Sequence, residues 1–244
     1  MFKILKILGI TIGLFLAIGI ITLVILICTN KIEIDDLHIK LSLKKSKTVV
    51  VDKEYDNVFS KIIIDTEASD IIIKDSKSSK IKLVIYIDKD RTTVNEKERI
   101  LEIKTKQNKC KKFICTDQKI DRVELYLPDG YKEKVDVETN YGDIKIDNIS
   151  RLDANTNYGD IKIGKVDEYF KVNTNYGDIK IGELDIIEDS KATTNLGDII
   201  VGKTNEVNIK AKTDLGDTKV KGNNKDSNIK LELKTNLGDI KVNN

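Results

Sequence analysis

The chain has no tryptophan, one histidine, one proline, one methionine and three cysteines in 244 residues. A single imidazole cannot build a His-based metal cluster or a catalytic relay of two imidazoles. That residue, His38, lies seven positions beyond Lys31 and reads as a solvated juxtamembrane side chain rather than a base. Charge of one sign is also missing. Lys and Arg number 42 against 40 Asp and Glu, and Lys3 and Lys6 supply the whole excess, so the chain from residue 31 onward is formally neutral. A neutral domain has no counterion-release footprint, which excludes a dedicated nucleic-acid binder. There is no Gly-x-Ser-x-Gly elbow, no glycine-rich phosphate loop outside the first apolar run, no EF-hand loop and no calcium β-roll nonapeptide. Carboxylate pairs carry no weight in a chain with 40 acids. No catalytic, cofactor-binding or metal-ligating residue is therefore assigned, and no cofactor is expected. A polysaccharide-active β-helix enzyme stays as a remote alternative to a non-enzymatic protein.

One long apolar run is present. Residues 7–28 are 22 uncharged residues, about 33 Å as a helix and enough for a bilayer core. Lys3 and Lys6 precede it, while Glu33, Asp35 and Asp36 follow Lys31. The positive-inside rule then puts residues 1–30 down as a cytoplasmic tip and transmembrane helix, with residues 31–244 outside the cell membrane. A cleaved signal peptide fits less well, because the run continues past the small-x-small site at residues 17–19. Ile27 stands where a lipoprotein signal needs a small residue before Cys28. Gly9, Gly13 and Ala17 share one helix face and could pack two anchors together, although glycine is common in membrane helices generally. Residues 31–49 read as a solvated linker with several lysines.

The most informative feature is a repeat. Thr-Asn-Tyr-Gly-Asp-Ile-Lys-Ile occurs at residues 139–146, 156–163 and 174–181, and drifted copies stand at 194–201, 213–220 and 235–242. The shared Gly-Asp pairs are Gly142-Asp143, Gly159-Asp160, Gly177-Asp178, Gly197-Asp198, Gly216-Asp217 and Gly238-Asp239, with glycines 17, 18, 20, 19 and 22 residues apart. A degenerate copy, Thr-Glu-Ala-Ser-Asp-Ile-Ile-Ile, fills residues 66–73. Apolar residues alternate on both sides of each Gly-Asp pair: Val135 and Val137 before, Ile144 and Ile146 after. Alternation means strands, and the Gly-Asp pair is a structural corner where glycine tolerates positive φ and aspartate bonds a nearby amide. Gly164, Gly182, Gly202 and Gly222 mark a second turn.

Two short strands cannot bury an apolar face alone, but stacked copies can. The expected fold is an all-β, single-stack β-solenoid of about six 17–22-residue coils over residues 135–244, preceded by a degenerate β-rich start at 50–134. Inside it, Ile, Val and Leu would be joined by stacked Tyr141, Tyr158 and Tyr176, continued by Leu196, Leu215 and Leu237. Asn140, Asn157, Asn175, Asn195 and Asn236 would form an outward or corner amide ladder, with Asp214 as the exception, and Lys145, Lys162, Lys180, Lys219 and Lys241, two residues after five of the six corner Asp, could balance the charge from a neighbouring row. The chain stops two residues after Val242, so residues 228–244 are expected to be an open end that self-associates weakly or docks a partner.

The repeat resembles a bacterial putative-adhesin β-solenoid domain family, long catalogued as a domain of unknown function, whose hallmark is a repeated small-Gly-Asp-apolar-x-apolar element. Residues 62–73 resemble its opening, residues 100–104 its middle strand, and Val-Glu-Leu-Tyr-Leu-Pro-Asp-Gly at 123–130 the strand and turn before the solenoid. The resemblance covers roughly residues 50–244. It implies a single-pass, surface-facing protein of a low-GC Gram-positive bacterium, and the ratio of 38 Lys to 4 Arg suits an AT-rich genome. It also implies kinship with membrane-anchored components encoded near cell-envelope stress systems, and supplies no catalytic residue. Cys110 and Cys115, with four residues between them, either form a small disulfide across a hairpin or stay reduced. The functional expectation is a membrane-anchored, adhesin-like binding or scaffolding module contacting an envelope protein or cell-wall polymer. The alternative is an accessory sensor of envelope stress acting through a membrane partner.

Overall fold

The computed structural model describes residues 49–56, 59–87, 91–106 and 121–244, together with the backbone of residues 32–35 and 38–41. The chain divides into two compact units, Met1–Lys47 with Lys109–Lys119, and Thr48–Asn108 with Ile120–Asn244. In the first unit the described part is a hairpin of β1 (Ile32–Asp35) and β2 (His38–Leu41), paired antiparallel. The expected anchor with Gly9, Gly13 and Ala17, and Cys28, Cys110 and Cys115, lie outside the described residues, as does the His38 side chain. Among the described residues there is no α-helix.

The second unit is a stack of parallel rungs. Each rung holds one strand before the Gly-Asp corner and one after it. The regular rungs are formed by β10 (Lys134–Tyr141), β11 (Ile144–Tyr158), β12 (Ile161–Tyr176), β13 (Ile179–Leu184), β14 (Ser190–Leu196) and β15 (Ile199–Thr204). Pairing is in register with the repeat, Thr139 on Thr156 and Thr156 on Thr174, then Ile144 on Ile161 and Ile161 on Ile179. The expected second turn does not break the first coils. The 15-residue β11 and 16-residue β12 run through it without a gap. The extra residue in the 18-residue spacing is absorbed as a bulge, where Ile149 pairs with Val166 but Arg151 pairs with Tyr169.

The degenerate region belongs to the same stack. β4 (Lys61–Thr66) and β5 (Ser69–Ser76) pair in parallel with β10 and β11, Thr66 on Thr139 and Ile71 on Ile144. Beyond them lie β8 (Ile100–Thr105) on β4 and β9 (Asp121–Pro128) on β5. Antiparallel strands then finish this end. β7 (Thr92–Lys97) covers β8, and β6 (Ile81–Tyr86) covers β9 and is itself covered by β3 (Val49–Tyr55). Tyr55 and Phe59 meet edge to face at 5.2 Å, and the Tyr131 hydroxyl donates to the Phe59 carbonyl at 2.9 Å.

The opposite end corrects the expected coil order. β18 (Lys230–Leu237) pairs with β14 on one side and with β16 (Asn208–Leu215) on the other. β19 (Ile240–Val242) likewise lies between β15 and β17 (Thr218–Val220). Residues 230–242, last in the chain, are the next-to-last rung, and residues 208–220 are the end. The first two levels are exchanged in the same way, with 61–76 inside 100–128. Eight levels are stacked among the described residues.

Composition explains which copy lies outside. Residues 230–242 present Leu231, Leu233, Thr235, Ile240 and Val242, all fully buried. The terminal copy has Ala211 where β18 has Leu233, and Thr218 where the five other regular copies have Ile. Exchanging the two copies would put Leu233 and Ile240 on the outermost level in place of Ala211 and Thr218, at about 1.5–3 kcal/mol for each side chain left in water. The outer edge also carries Lys210, Lys212, Lys219 and Lys221, which discourage strand addition. At Ile209 the Asn223 side chain stands in for a further strand: the Ile209 amide donates to Asn223 Oδ1 at 2.9 Å, and Asn223 Nδ2 donates to the Ile209 carbonyl at 3.2 Å.

Candidate binding surface

Four side-chain columns meet at the Gly-Asp corner. The last inward residue of each first strand is threonine. Thr156, Thr174, Thr194, Thr235 and Thr213 donate their hydroxyls to the glycine carbonyl one rung away, at 2.9–3.2 Å. Thr139 donates to Ser69, the residue at the glycine position of the degenerate copy, at 3.3 Å. This bond closes the corner of the core with a satisfied polar group.

The glycine is required by closeness. A Cβ on Gly159, Gly177, Gly197, Gly238 or Gly216 would lie 2.0–2.1 Å from the glycine carbonyl oxygen of the adjacent rung, and one on Gly142 2.2 Å from that of Ser69. Gly197, Gly216 and Gly238 have φ of +144 to +148°, a region closed to L side chains. At the glycine position of the degenerate copy the buried Ser69 hydroxyl lies 3.4 Å from that of Thr105.

The aspartates cap the backbone. Oδ1 of Asp70, Asp143, Asp160, Asp178, Asp198 and Asp239 accepts the amide of the next Asp in the stack at 2.7–3.0 Å. The expected lysine balance comes from the same coil rather than the neighbouring one, with Lys145 on Asp143 at 3.3 Å and Lys180 on Asp178 at 2.9 Å. The Asp198 amide and then Lys180 hold the Asp178 carboxyl below its ordinary pKa, and Asp178 raises that of Lys180. Among the described residues no three His, Cys, Asp or Glu groups are placed to hold a metal ion.

The asparagine ladder forms on the outer face. Asn157, Asn175, Asn195 and Asn236 each donate Nδ2 to the Oδ1 of the preceding asparagine at 2.7–3.1 Å. Next to it stands the column expected inside. Tyr141, Tyr158 and Tyr176 stack as foreseen, with centroids 5.0 and 4.9 Å apart and rings 3° and 2° from parallel. They are nevertheless 48–53% exposed, and Leu196, Leu237 and Leu215 continue the column outside at 40–65%. The reason is the turn itself: threonine fills the core corner, so the next residue of the same parity lies past its edge. A phenol hydroxyl also needs a partner, which water supplies.

One further contact carries no signal in the sequence. Arg151 donates bidentately to Glu188 at 2.8 and 3.0 Å and to Glu168 at 3.1 Å, tying three coils at the second corner.

These columns define a class: a parallel β-solenoid whose repeat corner is a set of hydrogen-bonded ladders carrying an outward ridge of large side chains. Residues 59–244 match the model of the Toastrack DUF4097 family, and the chain belongs to that family. Among solved structures it is similar to a putative cell adhesion protein from Clostridium sporogenes, 13% identical, covering 79% of this chain and 99% of that one, with a TM-score of 0.49. It is also similar to a putative adhesin from Bacteroides fragilis, 19% identical, covering 82% and 100%, with a TM-score of 0.49. No curated protein matches the chain.

Proposed function

We propose that the chain is a membrane-anchored, surface-facing, non-enzymatic binding module of the cell envelope, and that the corner ridge is its contact face. One observation carries this reading: Tyr141, Tyr158, Tyr176, Leu196, Leu237 and Leu215 form one unbroken exposed column. A contiguous apolar stripe edged by polar groups is the signature of an interaction surface. Ladder bonds on both flanks hold it before any partner arrives, which lowers the ordering cost of binding. Residues 7–28 supply the anchor and residues 31–49 the tether. The partner is a protein of the cell envelope.

The test uses the full chain displayed on cells. Retention on immobilised envelope material is compared with that of Tyr141→Ser/Tyr158→Ser/Tyr176→Ser. Retention should fall at least tenfold with unchanged surface levels. Equal retention would remove the ridge as the contact face. Anchoring is checked by alkaline extraction, which should leave the chain in the membrane pellet.

A further inference from the structure

The ridge has a form that selects its partner. Each tyrosine ring lies flat against the next, so both faces of Tyr158 and one face each of Tyr141 and Tyr176 are occupied within the column. Sugars stack on aromatic faces, and this column turns edges, hydroxyls and leucine tips outward. It is therefore built for another protein surface rather than as a carbohydrate platform. Its side chains rise one per coil, and a partner can interdigitate along all six levels only if its own side chains rise by the same step. A second copy of this chain does so by construction.

The ridge is also sorted. In stack order it reads Tyr141, Tyr158, Tyr176, Leu196, Leu237, Leu215, three aromatic levels and then three aliphatic ones. A two-fold axis that runs two ridges antiparallel sets every tyrosine opposite a leucine: Tyr141 against Leu215, Tyr158 against Leu237 and Tyr176 against Leu196 of the second copy. A parallel arrangement would set phenol against phenol and short tip against short tip, leaving a gap along half the contact. The same antiparallel axis brings asparagine column to asparagine column. Asn157, Asn175, Asn195 and Asn236 each use one Nδ2 hydrogen in their own stack and have a second for the facing copy.

We infer that the ridge is a homotypic contact, in which two copies of this chain pack ridge to ridge, antiparallel, across a two-fold axis. The inference rests on the reading of the ridge as the contact face and names its partner. Six half-exposed side chains supply on the order of 500 Å² per copy, below the roughly 800 Å² per partner of a standard interface. The contact is accordingly weak between free molecules and gains from tethering of both copies.

The experiment uses detergent-solubilised full chain with Cys28, Cys110 and Cys115 replaced by serine. One tagged population carries Asn175→Cys and a second carries Asn195→Cys. These positions flank the ridge midpoint and face each other only in the antiparallel arrangement. Mild oxidation should yield the 175–195 dimer at least tenfold above the 175–175 and 195–195 dimers. Adding Tyr158→Lys or, as a second variant at the other half, Leu237→Lys should cut it tenfold while far-UV circular dichroism stays unchanged. A predominance of 175–175 product, no product, or a product indifferent to both lysines would each overturn the proposal. Envelope retention of the lysine variants is measured alongside. If retention falls but no 175–195 dimer forms, the ridge remains the contact face and only the homotypic partner fails.

Discussion

Gly197→Ala isolates the physical requirement of the corner. The added methyl would sit 2.0 Å from the Gly177 carbonyl oxygen and 2.6 Å from its carbon, on a residue with φ of +148°. Neither contact involves a side chain that can rotate away. Relief must come from separating two rungs, which strains the Gly177 amide on the Leu196 carbonyl and the Ile179 amide on the Asp198 carbonyl, both at 2.9 Å. Backbone strain at such a position costs about 1–3 kcal/mol, and each weakened interstrand bond adds about 1 kcal/mol. The expected loss is about 3–5 kcal/mol, a large part of the roughly 5–15 kcal/mol that holds a domain together. Gly130→Ala is the control. Its φ is +75°, but a Cβ there meets nothing within 4 Å, so only the left-handed penalty of about 1–2 kcal/mol applies. Urea unfolding of the full chain in detergent, followed by far-UV circular dichroism, measures both. If Gly197→Ala falls within about 1 kcal/mol of Gly130→Ala, close rung packing is not what selects glycine at the corner.

Further expectations follow from the same ladders. Because the Asp198 amide and Lys180 hold the Asp178 carboxyl low, its contribution is present above the ordinary carboxylate pKa and is lost as the pH falls through the depressed value. Asp178→Asn keeps an acceptor for that amide and should flatten the acid limb of the unfolding midpoint; an unchanged limb would refute the assignment. Burial, and then Glu96, raises the Tyr55 phenol from 10.0 to about 12. The unfolded chain loses that proton first, so stability should fall from about pH 10 upward, and Tyr55→Phe should reduce the fall in alkaline melts. Thr218→Ile would make the terminal rung match the interior ones. It should raise self-association in sedimentation through the newly apolar end, and an unaltered profile would show that the polar end does not act as a cap. Phe170→Ala empties a fully buried site and should cost about 3–5 kcal/mol in the same urea assay.

The local unit was legible without coordinates. Alternation around Gly-Asp, the invariant threonine and the asparagine at one fixed offset define a rung, a corner and a ladder, because strand periodicity and glycine conformation act within a few residues. The degenerate copy at residues 66–73 and the β-rich start were also readable, since Thr66, Asp70 and Ile71 keep their offsets although Ser69 replaces glycine. The tyrosine column was read correctly as a stack and wrongly as interior, because alternation cannot tell where a strand leaves the core edge.

Sequence alone determined the repeat, its register and the residues that stack on one another, since each copy carries the same short-range instructions. The order of the levels, the antiparallel closure by β3, β6 and β7, and the outward face of the ridge follow from long-range packing. Every copy can pair with every other, so pairing preference is degenerate in the repeat. The exchange of residues 208–220 with 230–242 is settled by the whole stack, which leaves Ala211 half-buried and Thr218 in water and keeps Leu231, Leu233, Ile240 and Val242 covered on both sides.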